Sequence, residues 1–203
     1  DVAGAALAAL AAGAGASLAT MPLLARTSSI APARRRVSVI AESVTADAAA
    51  LQVEREAVKL AVQMPVIAGP IYDTLDDDVF THPGLQAVHQ VVRDAGGAAK
   101  SPGGEAWVGR LLEHSPDDRV RQLVTALAVE HLHSDTEADE RYAGAVLARV
   151  QEHAVTRKIA ELKPRLQRTN PVEEPDRYNA LFTELIRLEQ TARSHRERGI
   201  GAL

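Results

Sequence analysis

From Leu51 onward, apolar residues recur every three or four positions, the period of helices that bury one face, and strict alternation is absent. LQVEREAVKLAVQ places Val53, Ala57, Leu60 and Ala61 on one face and Glu54, Arg55 and Lys59 on the other. Met64-Pro65 ends this helix, and PVIAGP opens a short second one on its proline. In IYDTLDDDVFTHPG, Phe80 is the expected buried anchor, Thr81 the expected cap of the next helix and Pro83 part of its first turn. GLQAVHQVVRDAGG then runs to a glycine stop. EAWVGRLLEHS is a short helix burying Trp107 and Leu111. Ser115 and Pro116 open PDDRVRQLVTALAVEHL, whose stripe is Val120, Leu123, Val124, Leu127 and Ala128.

The longest patterns form a pair. In ADERYAGAVLARVQEHAVTRKIAELKPRLQ, after an expected cap in HSDTEAD, the stripe is Tyr142, Val146, Val150, Val155, Ile159 and Leu162. In DRYNALFTELIRLEQTARSHRER it is Tyr178, Leu181, Leu185 and Leu188. RTNPVEEP breaks the two, because residues before proline leave the helical region. Asp176 is the expected cap of the second arm, and Pro164 is expected to kink or shorten the first. The reading is all-α: a helical bundle over 51–135, then a long helix and helical hairpin over 136–203, with no later segment to cover the hairpin's far side. One face serves to join the arms. Phe182 and Ile186 lie beside that stripe, with Arg187, Glu189 and Arg193 further round, the pattern of an exposed apolar site rimmed by charge.

Composition changes the picture only before residue 51. DVAGAALAALAAGAGASLATMPLLA is rich in alanine and glycine, with no charge after Asp1, and Val2 to Ala12 reads as a marginal helix. ARRRVSVIAESV reads as a strand or the start of a helix, and residues 1–50 as a linker or partly ordered segment. Arg34–Arg36 follow the apolar run rather than precede it, which is against a secretory leader. Over the whole chain, 46% apolar but only 3% aromatic residues indicate a core of small side chains. A net charge of −4 argues against strong direct nucleic-acid binding by the whole chain. The lack of cysteine excludes disulfides and thiolate zinc sites and suits a cytoplasmic setting. No apolar run is long enough for a transmembrane helix.

Candidate chemistry is sparse. No phosphate loop, GxSxG or HExxH occurs. His131, His133 and Asp135 resemble a metal-ligand cluster, but residues two apart on a helix point away from one another, so a solvated helix end is the favoured reading. Asp76, Asp77 and Asp78 lack calcium-loop spacing. Glu54 and Glu56 occupy different faces and do not form an acid-base pair. No metal, cofactor or catalytic residue is expected, which leaves a binding or scaffolding module.

EREAVKLAVQMP, DDDVFTHPGLQAVHQVV, LAVEHL and, most specifically, RKIAELKPRLQRTNPVEEPDRYNALFTELIRLEQ give the chain a family likeness. From Leu51 on, it resembles the C-terminal domain of bacterial DNA primase of the DnaG type, in an actinobacterial version. Residues 1–50 match nothing recognisable in primase. The resemblance implies a non-catalytic module that docks primase onto the replicative helicase at the fork, while zinc-binding and polymerase domains upstream make primers. It implies a hairpin that contacts the helicase's N-terminal domain, here through Tyr178, Leu181, Phe182, Leu185, Ile186, Arg187, Glu189 and Arg193. In some relatives the bundle also holds the acidic tail of single-stranded-DNA-binding protein, a role that would fall to Arg55 and Lys59. Two alternatives remain: the N-terminal domain of a replicative helicase, and a metal-dependent all-α enzyme using His131, His133 and Asp135.

Overall fold

The computed structural model describes residues 31–134 and 139–201, with side chains for 47–134 and 139–200. The chain forms two units, Asp1–Val39 and Ile40–Leu203; of the first, only the helical backbone from Ala31 is described. Every regular element among the described residues is helical. The order is α1 (Ala31–Gln63), α2 (Pro65–Tyr72), a 3-10 turn (Asp77–Val79), α3 (Pro83–Asp94), α4 (Gly104–Glu113), α5 (Asp118–Val129), α6 (Glu140–Arg168) and α7 (Pro175–Gly201). The marginal helix expected at Val2 to Ala12 lies outside the described residues, as does Asp135. The helix expected from Leu51 begins at Ala31, so ARRRVSVIAESV is helical.

The C-terminal half of α1 is the axis of the bundle. Ala57, Val58, Leu60, Ala61 and Val62 are at most 1% exposed, so burial surrounds the helix rather than following one stripe. Trp107 of α4 is fully buried against it and donates its indole N–H to the Ala61 carbonyl at 3.0 Å. Tyr72, Phe80 and His89 meet edge to face and tilted at centroid distances of 4.9–6.0 Å, closing the core near α2 and α3. Val120, Val124 and Leu127 supply the buried stripe of α5. Gly69 lets α2 touch the 98–99 backbone: a Cβ there would lie 2.3 Å from the Ala99 nitrogen. The Asp73 carboxylate holds that contact by accepting from the Ala98 and Ala99 amides at 2.8 and 2.9 Å.

Three helix ends differ from the sequence reading. The cap of α3 is His82, whose Nδ1 accepts from the Gly84 amide, because Thr81 is drawn to Glu54 instead. The cap of α5 is Asp117, while the Ser115 hydroxyl bonds back to the Leu111 carbonyl. Asp176 lies inside the first turn of α7 rather than capping it; its carboxylate still favours the positive helix end. Pro164 does not shorten α6, which runs through it for 29 residues. Leu162, just before it, is 6% exposed, and beyond it the Thr169 hydroxyl donates to the Arg165 carbonyl.

α7 folds back antiparallel along α6. Lys163 pairs with Glu189 at 3.1 Å and Arg196 with Glu152 at 2.7 Å, while Gly199 lies against Ala145 and Ala148. The near half of α6 belongs to the bundle through Val146, Leu147, Val150 and Ala154. Arg157 adds two bonds to the Asp78 and Val79 carbonyls, and Lys158 an ion pair with Asp78 at 2.9 Å. No described helix is long and apolar enough to cross a membrane.

Candidate functional site

The hairpin presents one buried and one open face. Leu188 and Ala192 are 5% and 6% exposed on the inward stripe, flanked by half-buried Tyr178, Leu181 and Leu185. One position round the helix, Phe182 and Ile186 are 46% and 41% exposed. Tyr178 and Phe182 stack at 6.3 Å with rings 7° from parallel, so one aromatic surface extends from the seam onto the open side. The charges around it are held within the hairpin. Arg187 bonds Glu184 through two nitrogens at 2.6 and 2.8 Å, Arg193 bonds Glu197 at 3.0 Å, and Glu189 meets Lys163 across the seam. Hydrogen bonding to Glu184 raises the Arg187 guanidinium above its ordinary value. The open side continues over Ile159 and Ile200, the last 64% exposed. Sequence reasoning missed Ile159, Ile200 and Lys163 as parts of this face, although Ile200, about five turns after Phe182, falls on the same side of the helix.

The bundle side differs from expectation more sharply. Arg55 and Lys59 do not project from the solvent face of α1. Lys59 is fully buried, with Nζ 2.5 Å from Glu56 and 2.7 Å from the His131 carbonyl. Arg55 grips Glu130 through two nitrogens at 2.5 and 3.0 Å, and that bonding holds the Glu130 carboxyl below its ordinary value. An acidic peptide would have to displace these partners, so the two cations do not make an open pocket.

Glu56 is the centre of the same cluster. Its carboxylate accepts from Lys59, from the His133 amide at 2.8 Å and from the Tyr142 hydroxyl at 2.6 Å, and faces the His133 ring at 2.9 Å. Burial alone would raise this carboxyl; bonds from Lys59, Tyr142 and His133 outweigh it and hold the group below its ordinary value. Burial and the Glu56 bond push the Tyr142 phenol up. Glu54, also buried, accepts from the Thr81 amide and hydroxyl and from the His82 amide, with Arg157 at 3.7 Å. The two glutamates do face different ways, and each holds backbone rather than a substrate. His131 and His133 lie beyond the end of α5, and their polar groups serve the Lys59–Glu56 cluster. No group of three metal-ligating side chains occurs among the described residues, and Asp135 lies outside them.

Beside this cluster is a cleft of about 230 Å³ lined by Val53, Tyr142 and Val146, with His133 and Arg149 at its edge. Arg149 is exposed there.

The model of the family described as DNA primase DnaG DnaB-binding matches residues 54–181. The chain is 42% identical over 149 residues to the DNA primase of Mycolicibacterium smegmatis, covering 73% of this chain and 23% of that protein. It is 40% identical over 156 residues to the DNA primase of Streptomyces coelicolor, covering 74% and 24%. A solved helicase-binding domain of primase from Mycobacterium tuberculosis superposes with a TM-score of 0.62 at 38% identity, covering 75% of this chain and 94% of that one. The chain thus spans about a quarter of the length of the primases it matches.

Proposed function

Because the chain belongs to the DnaB-binding family of the DNA primase DnaG, we propose that it is the non-catalytic module that docks a primase onto the replicative helicase. The open side of α7 is the contact, and the N-terminal domain of the helicase is the partner. The observation that carries this reading is the pair Phe182 and Ile186, held exposed on a helix whose inward stripe is already used. Uncovered apolar groups beside charged ones suit a contact with a buried centre and a polar rim. Arg187, Glu189 and Arg193 are rim groups that steer association more than they hold the complex. Primer synthesis falls to the rest of a full-length primase, and the chain alone incorporates no ribonucleotides on a template.

Titration against the helicase N-terminal domain tests the contact. Phe182→Ala should raise the dissociation rate, by about 1–3 kcal/mol in binding free energy. The chain truncated after Asn170 should keep a helical bundle by circular dichroism and lose binding. Undiminished binding by that truncation would move the contact onto the bundle.

A second partner is proposed for the cleft beside Glu56. Its apolar floor of Val53, Tyr142 and Val146 with exposed Arg149 at the edge suits an acidic tail such as that of single-stranded-DNA-binding protein better than buried Lys59 does. Arg149→Ala should weaken binding of a fluorescent acidic-tail peptide and flatten its salt dependence; equal binding by parent and variant would remove this partner from the cleft.

A further inference from the structure

We infer that Glu56 is a positioning residue for the hairpin: through Tyr142 and His133 it fixes the direction in which α6 leaves the bundle, and so the pose in which the docking face is presented. The inference rests on the proposal that α7 carries the helicase contact. Glu56 is far from that contact in sequence and acts through other residues.

Geometry is the first support. The connection between α5 and α6 is tied to α1 at both of its ends. His133, just after α5, gives its amide to Glu56 at 2.8 Å, and Tyr142, in the first turn of α6, gives its hydroxyl at 2.6 Å. One carboxylate, 5% exposed, therefore holds the end of one helix and the start of the next. The second support is what surrounds it. Of the eight buried residues on α6, four are alanines: Ala143, Ala145, Ala148 and Ala154. Alanine has no side-chain torsion and little shape, so such a face resists rotation and tilt weakly, while a short hydrogen bond to a buried charge is directional. The third is leverage. α6 is fastened to the bundle as far as Lys158, and the stretch from there to Arg168 is an arm of about 15 Å at 1.5 Å per residue, so a tilt of about 10° moves the hairpin tip by about 3 Å. A bimolecular contact that requires two patches to meet in one orientation is sensitive to such a displacement.

The chain has no cysteine, so Asp118→Cys and Val172→Cys give clean attachment points for a pair of spin labels, one on the bundle and one at the hairpin tip. Distances are measured in this labelled chain, in its Tyr142→Phe form and in its Glu56→Gln/Lys59→Met form. The double change removes the buried ion pair without leaving an orphan charge, and Tyr142→Phe removes one hydroxyl and keeps the ring, so it answers the question if the double variant fails to fold. Affinity for the helicase N-terminal domain is measured in parallel on unlabelled chains. The expected result is one narrow distance in the parent, a distribution broadened or shifted by about 3 Å in the variants, and affinity lowered about five- to tenfold with α-helical content unchanged. An unchanged distance distribution in Tyr142→Phe overturns the inference whatever the affinity does. A broadened distribution with undiminished affinity also overturns it, by cutting the link from pose to docking. If instead the chain truncated after Asn170 binds as tightly as the parent, the docking proposal fails, and the distances alone decide whether Glu56 sets the hairpin's direction.

Discussion

α1 and α7 each carry a glutamate three residues before a cation, and the two ion pairs are nearly the same length. Glu56 meets Lys59 at 2.5 Å, and Glu184 meets Arg187 at 2.6 Å. Locally they are the same device. Yet the Lys59 side chain is 0% exposed and that of Arg187 is 63% exposed. Around the first pair stand the His133 amide, the Tyr142 hydroxyl and the His131 carbonyl, all from sequence more than 70 positions away. Around the second is mostly water. The worth of an ion pair is set by what happens to each charge when its partner is lost, and that depends on the surroundings, not on the spacing.

The largest expected effect is at Lys59. Lys59→Ala leaves the buried Glu56 carboxylate without its cation and should cost about 3–5 kcal/mol in chemical denaturation, whereas Arg187→Ala should leave the midpoint where it is. Equal losses at the two sites would break the comparison. Next comes Glu54→Ala, which strips the Thr81 amide and hydroxyl and the His82 amide of their acceptor and leaves Arg157 without a nearby carboxylate. About 1.5–3 kcal/mol is expected, the range for hydrogen bonds to a charged group. The same change at the half-buried Glu184 should register only in helicase association.

Protonation sharpens the contrast without mutation. The folded carboxyl of Glu56 sits below its ordinary value, so its stabilisation is present above the unfolded value and is lost as pH falls through the folded one. Burial lowers the His89 imidazole in the folded state, so between its folded and unfolded values the unfolded chain binds more protons. Stability should therefore decline as pH drops below about 6.5, the ordinary value for histidine. His89→Leu should reduce the slope of that part of a melting-temperature profile, with the remainder due to His153 and His195, which burial also lowers, and should leave the acid limb to which Glu56 contributes. A profile unchanged by His89→Leu would show that His89 does not report on the core.

The smallest effect is expected at the other end of α1. Asp47, Ala48 and Ala49 are exposed, and among the described side chains the first buried one is Glu54. We propose that residues 1–50 are dispensable for the bundle, so a chain starting at Ala50 should unfold cooperatively at nearly the parental temperature. Loss of cooperativity would place part of the core upstream.

Most of the fold was legible because helix periodicity and punctuation are local. Met64-Pro65, the glycines after Asp94 and the break at RTNPVEEP each mark an end that the structure keeps. The open side of the hairpin was legible for the same reason, since Phe182 and Ile186 fall beside a stripe that sequence alone identifies. What failed was the meaning of polar residues. Glu54, Arg55 and Lys59 read as a solvated face, because a sequence window of α1 holds, apart from Glu56 beside Lys59, none of the partners that bury them. Arg55 finds its partner 75 positions later, and Thr81 is taken from its expected cap by a glutamate 27 positions earlier. Local capping rules give way where a buried carboxylate needs donors more than a helix end does.

Gly69 sets a limit of another kind, on which sequences this family member could drift to. Every missense change at a glycine codon adds at least a methyl group, and here that methyl would fall 2.3 Å from one backbone atom and 2.5 Å from the next. Backbone cannot rotate aside as a side chain can, so accommodation means prising α2 from the 98–99 segment that Asp73 binds. Gly109 and Gly144, with open space where a Cβ would go, lie inside helices and should gain about 0.5–1 kcal/mol as alanine. A saturation library screened for folded chains should recover glycine almost alone at position 69 and alanine freely at 109 and 144, so that three glycines indistinguishable in composition differ completely in mutational tolerance.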